Sequence, residues 1–439
     1  GMEAVAVAPD CRREHSTPEF QHALATGDWG PSAARRQRVN AEELPALLKQ
    51  ELSVIEAFAP DLIYATPLAE INAWLYSNLL EVPMVLGSLQ PIKEELSRPE
   101  EEGACAFWWG VGKATLAAMK RVFQEELKDP RFDPVWASFW SFRTWKLQPP
   151  HPVLVHWSPA LNEAPARKRQ THRLTGFLVV EQPEQEERFR SCDSTFGGEA
   201  LQDLQVFLEA GDRPIYMGWG SLALVSPQHM ACLAVRALRK AGNRGVVLGG
   251  WAGLAAPMLE GQPDSEELVA YAREKVLFVQ SAPHEWLFPR CAATVHHGGA
   301  GTTAAALRAG VPTVITPMGL DQPKNAQRIQ ESGCGLNLGH FPKVTPEALA
   351  AALTRCLQSE EMRARCRVMG EFLRAEDGVG NTVAEIERFL REEVSTGLWR
   401  ARLEQLRERA RASAGPLGPL GDPLAWQEWA ATLRGPRQR

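Results

Sequence analysis

VHHGGAGTTAAALRAGVPTVITPMGLDQPKNAQRI, residues 295–329, decides how this chain folds. The apolar CAATV before it and VPTVITP within it frame a strand, a glycine turn, a helix and a second buried strand. That is one right-handed crossover unit of a parallel sheet. Gly298, Gly299 and Gly301 stand where the first strand hands over to a helix that is expected to begin near Thr302. Without Cβ atoms the backbone there can take positive φ and expose bare N–H groups. The helix's first turn adds unpaired amides and the positive end of its dipole, a seat suited to a phosphate group.

A ligand-free packing turn would need only the glycines. This segment adds hydroxyl donors at Thr302 and Thr303, and His297 at the strand's end can give the same anion a further hydrogen bond. Past the second strand, Asp321 and Gln322 place a carboxylate beside an amide at the carboxyl end of a strand, where open α/β sheets bind ligands. Such a pair can grip neighbouring sugar hydroxyls, which donate and accept at once.

Extended to residues 282–329, APHEWLFPRCAATVHHGGAGTTAAALRAGVPTVITPMGLDQPKNAQRI, the segment resembles the nucleotide-sugar signature of GT-B glycosyltransferases, most closely the sterol 3-beta-glucosyltransferase branch. The resemblance implies an α/β fold of two Rossmann-like domains facing a cleft. It implies that His297, Gly299, Gly301 and Thr302 hold the donor diphosphate, with Ser221 on a second glycine turn facing it. It assigns Asp321 and Gln322 to the sugar, and Ser281, Ala282 and His284 to the uracil pocket. Ala305 stands where the plant natural-product branch has a ribose-binding acid, so the ribose contact is unassigned.

The chain has 439 residues, enough for two or three domains, with ordinary hydrophobic (44%) and charged (23%) content. Its formal net charge of −5 provides no basic field to attract nucleic acid. The eight cysteines form no CxxC pair and no regular spacing, which reads as reduced thiols in the cytosol rather than zinc or a disulfide framework. No apolar run is long enough to span a bilayer, while peripheral membrane contact is compatible with the sequence.

In chain order, residues 2–8 read as a strand and residues 12–40, broken by Pro18, Gly27, Gly30 and Pro31, as mostly loop. A helix is expected from Ala41 to Phe58, followed by a second strand, helix, Val-Pro, strand copy over residues 59–88. Six of the 14 tryptophans, including Trp108, Trp145 and Trp157, lie between residues 101 and 157. They read either as core packing or as an apolar pocket for a lipophilic acceptor. LTGFLVV, from Leu174, resembles the family's closing strand of this region. The expected division is an acceptor domain over 1–184, a linker over 185–198, a donor domain over 199–380, a crossover helix over 381–395 and a solvated charged tail over 396–439.

The function read from these features is inverting transfer of a hexose, glucose foremost, from a UDP-sugar to a hydroxyl of a sterol or similar lipophilic alcohol. Neither a metal nor another cofactor is expected: no Asp-x-Asp occurs, and His296 and His297, as strand neighbours, point to opposite faces. A dinucleotide oxidoreductase is excluded by the absence of G-x-G-x-x-G after an early strand. A non-catalytic nucleotide-sugar binding protein, or a partner subunit, that has lost the general base is the alternative, because in the resembling branch that base sits on a glycine-rich loop ahead of the strand that GMEAVAVAP, from Gly1, resembles. The expectation is therefore an incomplete amino-terminal domain, with Asp10 and His15 the nearby groups able to take the base's place.

Overall fold

The computed structural model describes residues 11–67, 69–91, 114–135, 141–142, 145, 149–161, 171–193, 196–221 and 224–413. Two parallel sheets organise them. The first has the order β1-β2-β3-β4, from Ile63–Ala65, Met84–Ser88, Val153–Val155 and His172–Leu174. The second has the order β10-β9-β8-β5-β6-β7. Its strands are Ile215–Gly218 (β5), Gly245–Leu248 (β6), Val276–Val279 (β7), Ala293–His296 (β8), Thr313–Ile315 (β9) and Gly335–Asn337 (β10). Renumbered from its own first strand this is the 3-2-1-4-5-6 order of a dinucleotide-type Rossmann sheet. The order reverses between β5 and β8, which pair in parallel from Ile215↔Ala293 to Gly218↔His296. Ligands of such sheets bind at that reversal, outside the carboxyl ends of the strands.

Both crossover units expected from sequence are present. Helix Glu70–Leu80 connects β1 to β2, and helix Ala300–Arg308 connects β8 to β9. The strands are buried on both faces, so they read as continuous apolar runs; β2, β3 and β5 are buried almost throughout. The strand expected over residues 2–8 and Asp10 lie outside the described residues, as do Trp108, Trp109, Trp136 and Trp140. Trp145 and Trp157 are core: Trp157 is fully buried, and its indole N–H donates to Leu89 O at 2.7 Å.

The loop expected over residues 12–40 is instead helical, with helices Cys11–His15, Pro18–Thr26 and Gly30–Phe58. The supposed breakers sit at helix ends. Thr17 caps Phe20 N at 3.3 Å, Pro18 opens the second helix, and Gly27, at φ +81°, closes it with its N–H on Ala23 O. Gly30 and Pro31 fall in the first turn of the third, where a missing N–H costs nothing.

Three further expectations change. The linker stretch carries a helix, Gln182–Arg190, docked on the second domain through Phe189, whose ring lies 5.0 Å from that of Trp286. The closing strand of the first sheet is His172–Leu174, ending where LTGFLVV was expected to begin. Gly176, at φ +88°, packs against Glu376 and Gly378, which draws the chain out of the sheet. The charged tail is not a solvated appendage as far as Ser413. Helix Leu398–Ser413 lies back on the first domain, with Trp399 and Leu403 buried in a cluster with Val85, Leu154 and Phe389. Arg407 donates to Asn78 O at 2.6 Å and pairs with Glu81 at 3.1 Å. Most of its charges face outward while Trp399 and Leu403 are buried, a division that composition alone does not show.

Candidate donor site at the strand-order reversal

β8 ends in two histidines with different tasks. His296 is fully buried, and its Nδ1 accepts the Gly298 N–H at 3.0 Å, folding the backbone over the ring. Gly298 takes φ +92°, and a Cβ there would come within 2.8 Å of Ile315 Cγ2, so this position requires glycine twice over. His297 turns the other way, with the two rings 6.5 Å apart at 82°. The space a Gly299 side chain would take is filled by the His297 ring, since a Cβ would lie 2.5 Å from its Nε2. Gly301 differs: a Cβ there would meet nothing within 4 Å, so the first turn of helix Ala300–Arg308 is open above it. That helix has Gly299 as N-cap and no side-chain cap. Its leading amides are therefore left for a ligand.

The turn after β5 meets the same histidine. Gly220, at φ +67°, would carry a Cβ only 2.8 Å from His297 Cε1. Gly220 O accepts the Trp251 N–H at 3.3 Å, and Gly250 packs on the same carbonyl. The turns after β5 and β8 thus meet at one imidazole, the turn after β6 packs on the Gly220 carbonyl beside it, and Ser221 stands exposed next to Gly220. His297 Nδ1 is buried without a partner, and burial lowers its pKa to about 4. At neutral pH the ring is uncharged and keeps one N–H to give to an anion. Thr302 is half-buried on the open side, whereas Thr303 is fully buried with its hydroxyl unpaired, so it is not a donor at this surface.

The uracil candidates follow β7. His284 Nε2 lies 3.1 Å from Tyr216 OH, its ring stacks on Phe288 at 4.5 Å, and its pKa falls to about 4 through burial and then the charge of His297. Ala282 packs at the edge of the same cluster. A Cβ on Gly197 would lie 2.1 Å from Ser281 O, so the linker runs directly across that residue.

Asp321 and Gln322 sit at the start of helix Gln322–Ser332. The Gln322 carbonyl oxygen is already engaged, accepting from Met318 N at 2.8 Å and Gly319 N at 3.3 Å, so only its amide nitrogen faces outward chemistry. Asn325 is the residue that sequence reasoning missed. Fully buried, it donates to Gly298 O at 2.8 Å and to Asp321 Oδ2 at 2.8 Å, tying the glycine turn to the carboxylate. Its position one helical turn after Asp321, in DQPKN, was the available signal. Arg308 does the same at the helix's far end: 4% exposed, it bonds Glu285 at 3.2 Å, Glu181 at 2.6 Å and Leu373 O at 3.1 Å. Among the described residues, no three His, Cys, Asp or Glu side chains come together as metal ligands would.

The first domain reaches this site through His15, whose ring stacks on Phe20 at 4.7 Å and lies 6.2 Å from that of Trp251. Leu24 meets the loop after β9, where a Cβ on Gly319 would come within 2.8 Å of it. Behind the cleft, Ser158 donates to Glu376 at 2.6 Å and Asn381 to Thr175 O at 3.0 Å.

Two parallel sheets, a glycine turn at a strand-order reversal and a carboxy-terminal return onto the first domain define the GT-B fold. Solved structures agree: the glycotransferase of kitacinnamycin superposes with a TM-score of 0.56 at 20% identity, covering 81% of this chain and 83% of that one. CalG4, the calicheamicin glycosyltransferase, gives 0.53 at 17% identity over 82% and 83%. Within that fold, residues 260–387 match the family described as the erythromycin biosynthesis protein CIII-like, C-terminal domain. The chain is similar to the sterol 3-beta-glucosyltransferase of Emericella nidulans, 31% identical over 62% of this chain and 18% of the relative. It is also similar to UGT80A2 of Arabidopsis thaliana, 36% identical over 52% and 32%, and to UGT80B1 of the same plant, 26% identical over 82% and 56%. Sequence similarity therefore places it near the sterol glucosyltransferase branch of the GT-B glycosyltransferases, although it spans at most 56% of the length of these relatives.

Proposed function

We propose that this chain transfers a hexose, glucose foremost, from a UDP-sugar to a hydroxyl of a sterol or other lipophilic alcohol, with inversion and without a metal. Residues 199–380 would bind the donor and residues 1–184 the acceptor. One observation carries this reading: the turns after β5 and β8 meet at the neutral imidazole of His297 beside a helix N-terminus that no side chain caps. Its similarity to sterol glucosyltransferases supports the choice of acceptor class.

In the transfer, the acceptor oxygen bonds to the anomeric carbon while the bond from that carbon to the diphosphate oxygen breaks, and UDP leaves with the electron pair. Charge grows on the diphosphate as that bond breaks. Preorganised amides, the helix dipole and the His297 N–H stabilise it in a water-poor site. Asp321, held by Asn325, accepts from sugar hydroxyls.

Calorimetry with UDP and UDP-glucose, alongside transfer assays, tests the assignment. His297→Ala should weaken both ligands by about 1.5–3 kcal/mol, the scale of a hydrogen bond to a charged group. Asp321→Ala should weaken UDP-glucose but spare UDP, which has no hexose. Unchanged affinity in the first variant, or equal losses in the second, would remove the donor-site reading.

A further inference from the structure

β7, Val276–Val279, is the edge strand of the second sheet, two places from β5, and its two faces meet different surroundings. Side chains alternate along a strand. Leu277 and Val279 join the cluster around Tyr216 and Phe288, whereas Val276 and Phe278 pack with a separate small core that contains Leu259, Leu268 and Ala272. On that second face, helix Ser265–Lys275 and the short turn Ala256–Leu259 do not close over the strand. They leave a groove of about 380 Å³.

The helix lines this groove with Val269, Ala272 and Arg273, at the i, i+3, i+4 spacing that puts side chains on one face. The strand adds Val276 and Phe278, and the turn adds Ala256 and Leu259. Small-molecule sites are built in this way, about 300–1,000 Å³ in volume and mostly apolar, with a few polar groups that fix orientation. Here the polar group is Arg273, which is exposed at the rim. The other arginines and lysines of this helix and of helix Pro227–Ala241, packed against it, are all paired. Arg236 meets Asp264 at 2.6 Å, Arg239 meets Glu267, Lys240 meets Glu347 at 3.0 Å and Lys275 meets Glu274 at 2.9 Å. Arg273 has no hydrogen bond or ion pair among the described residues. Its guanidinium is a planar fork of donors that matches a carboxylate.

We propose that this groove, away from the donor seat, binds a medium-chain amphipathic carboxylate. The carboxylate pairs with Arg273, and the chain lies along Val276, Phe278 and Leu259. Burial of the chain supplies most of the affinity. The ion pair, at an exposed rim, selects the head group and the direction of entry more than it tightens binding.

The test is calorimetry of the full chain with decanoate, decan-1-ol and decyltrimethylammonium, each below its micelle concentration, with thermal unfolding alongside. The proteins are the parent, Arg273→Gln and Ala256→Trp. Ala256 is exposed, so the new indole fills the groove from its rim without entering the core. The parent should bind one decanoate, more tightly than the alcohol and far more tightly than the cation. Arg273→Gln should lose about 2–5-fold for decanoate, the scale of an exposed ion pair, and nothing for the alcohol. Ala256→Trp should lose both ligands while unfolding at the parent's temperature. A parent without saturable decanoate binding overturns the proposal, as does Arg273→Gln binding decanoate as the parent does. Decanoate binding retained by Ala256→Trp puts the ligand elsewhere on the molecule and overturns it too.

Discussion

The turn after β8 and the first-domain wall opposite it are built on different principles. In the turn, the hydrogen bonds from His296 to Gly298, Gly298 to Asn325 and Asn325 to Asp321 all fall within residues 296–325. Hydrogen bonds and missing Cβ atoms set its shape. The wall is held by contacts between distant parts of the chain and by apolar burial. Arg407 reaches Asn78 across 329 positions, and Trp399 and Leu403 pack under Val85 and Leu154. The turn after β8 is thus tied mainly within one stretch of chain, whereas the first-domain wall is closed by the returning carboxy-terminal helix.

The largest effect expected from this contrast lies far from any ligand. Trp399→Ala removes a buried indole that joins the tail to the first sheet and should cost about 3–5 kcal/mol, typical of large-to-small core changes. Denaturant unfolding should show the loss, with UDP affinity of the folded protein kept. Loss of UDP binding in the folded variant would break the separation between the two sides.

Next, Gly299→Val places carbon atoms where the His297 ring sits and should displace it, weakening UDP binding about 10²-fold, the scale of a misplacement of about 1 Å. Thermal stability should fall far less than in Trp399→Ala. Calorimetry showing parent-like affinity would mean the ring can move without consequence for the seat.

A smaller effect probes both sides at once. Burial lowers the pKa of His151 to about 3 and those of His156, His284 and His297 to about 4. Each is neutral in the fold, and its unfolded counterpart protonates near pH 6.5. The unfolded chain therefore binds protons first. Stability is intact above that pH and falls by up to about 1.4 kcal/mol per pH unit per histidine between about 6.5 and 4. His151, with neither ring nitrogen bonded and its ring 4.7 Å from Trp145, gives the cleanest check. His151→Phe should reduce the slope of unfolding free energy against pH by about one proton. An unchanged slope would show that this ring protonates in place.

Much of the donor side was legible in the sequence because its signals are local. Strand periodicity, three glycines and a pair of Val-Pro steps locate both crossover units, and the structure puts the glycine turn after β8 at the reversal of strand order. Within it, Thr303 was misjudged because adjacent helix residues face about 100° apart, and only the packed helix shows which of two threonines faces the core. Gln322 was assigned to the sugar although its carbonyl oxygen holds the preceding loop. Asn325 was missed because its spacing of one helical turn from Asp321 does not by itself show that Gly298 comes to lie against it.

On the other side, the breakers at Pro18, Gly27, Gly30 and Pro31 read as loop because a proline or glycine at a helix end and one in a loop are the same letter. The sequence by itself determined the sheet class, the two crossover units and the glycine turn, all set by interactions between residues close in the chain. Only the tertiary structure decided that the charged tail covers the first domain, that His15 meets Trp251 and that the turns after β5 and β8 share one histidine. Those contacts join residues whose spacing in the chain carries no periodic signal, and apolar burial selects them only when the whole chain has closed.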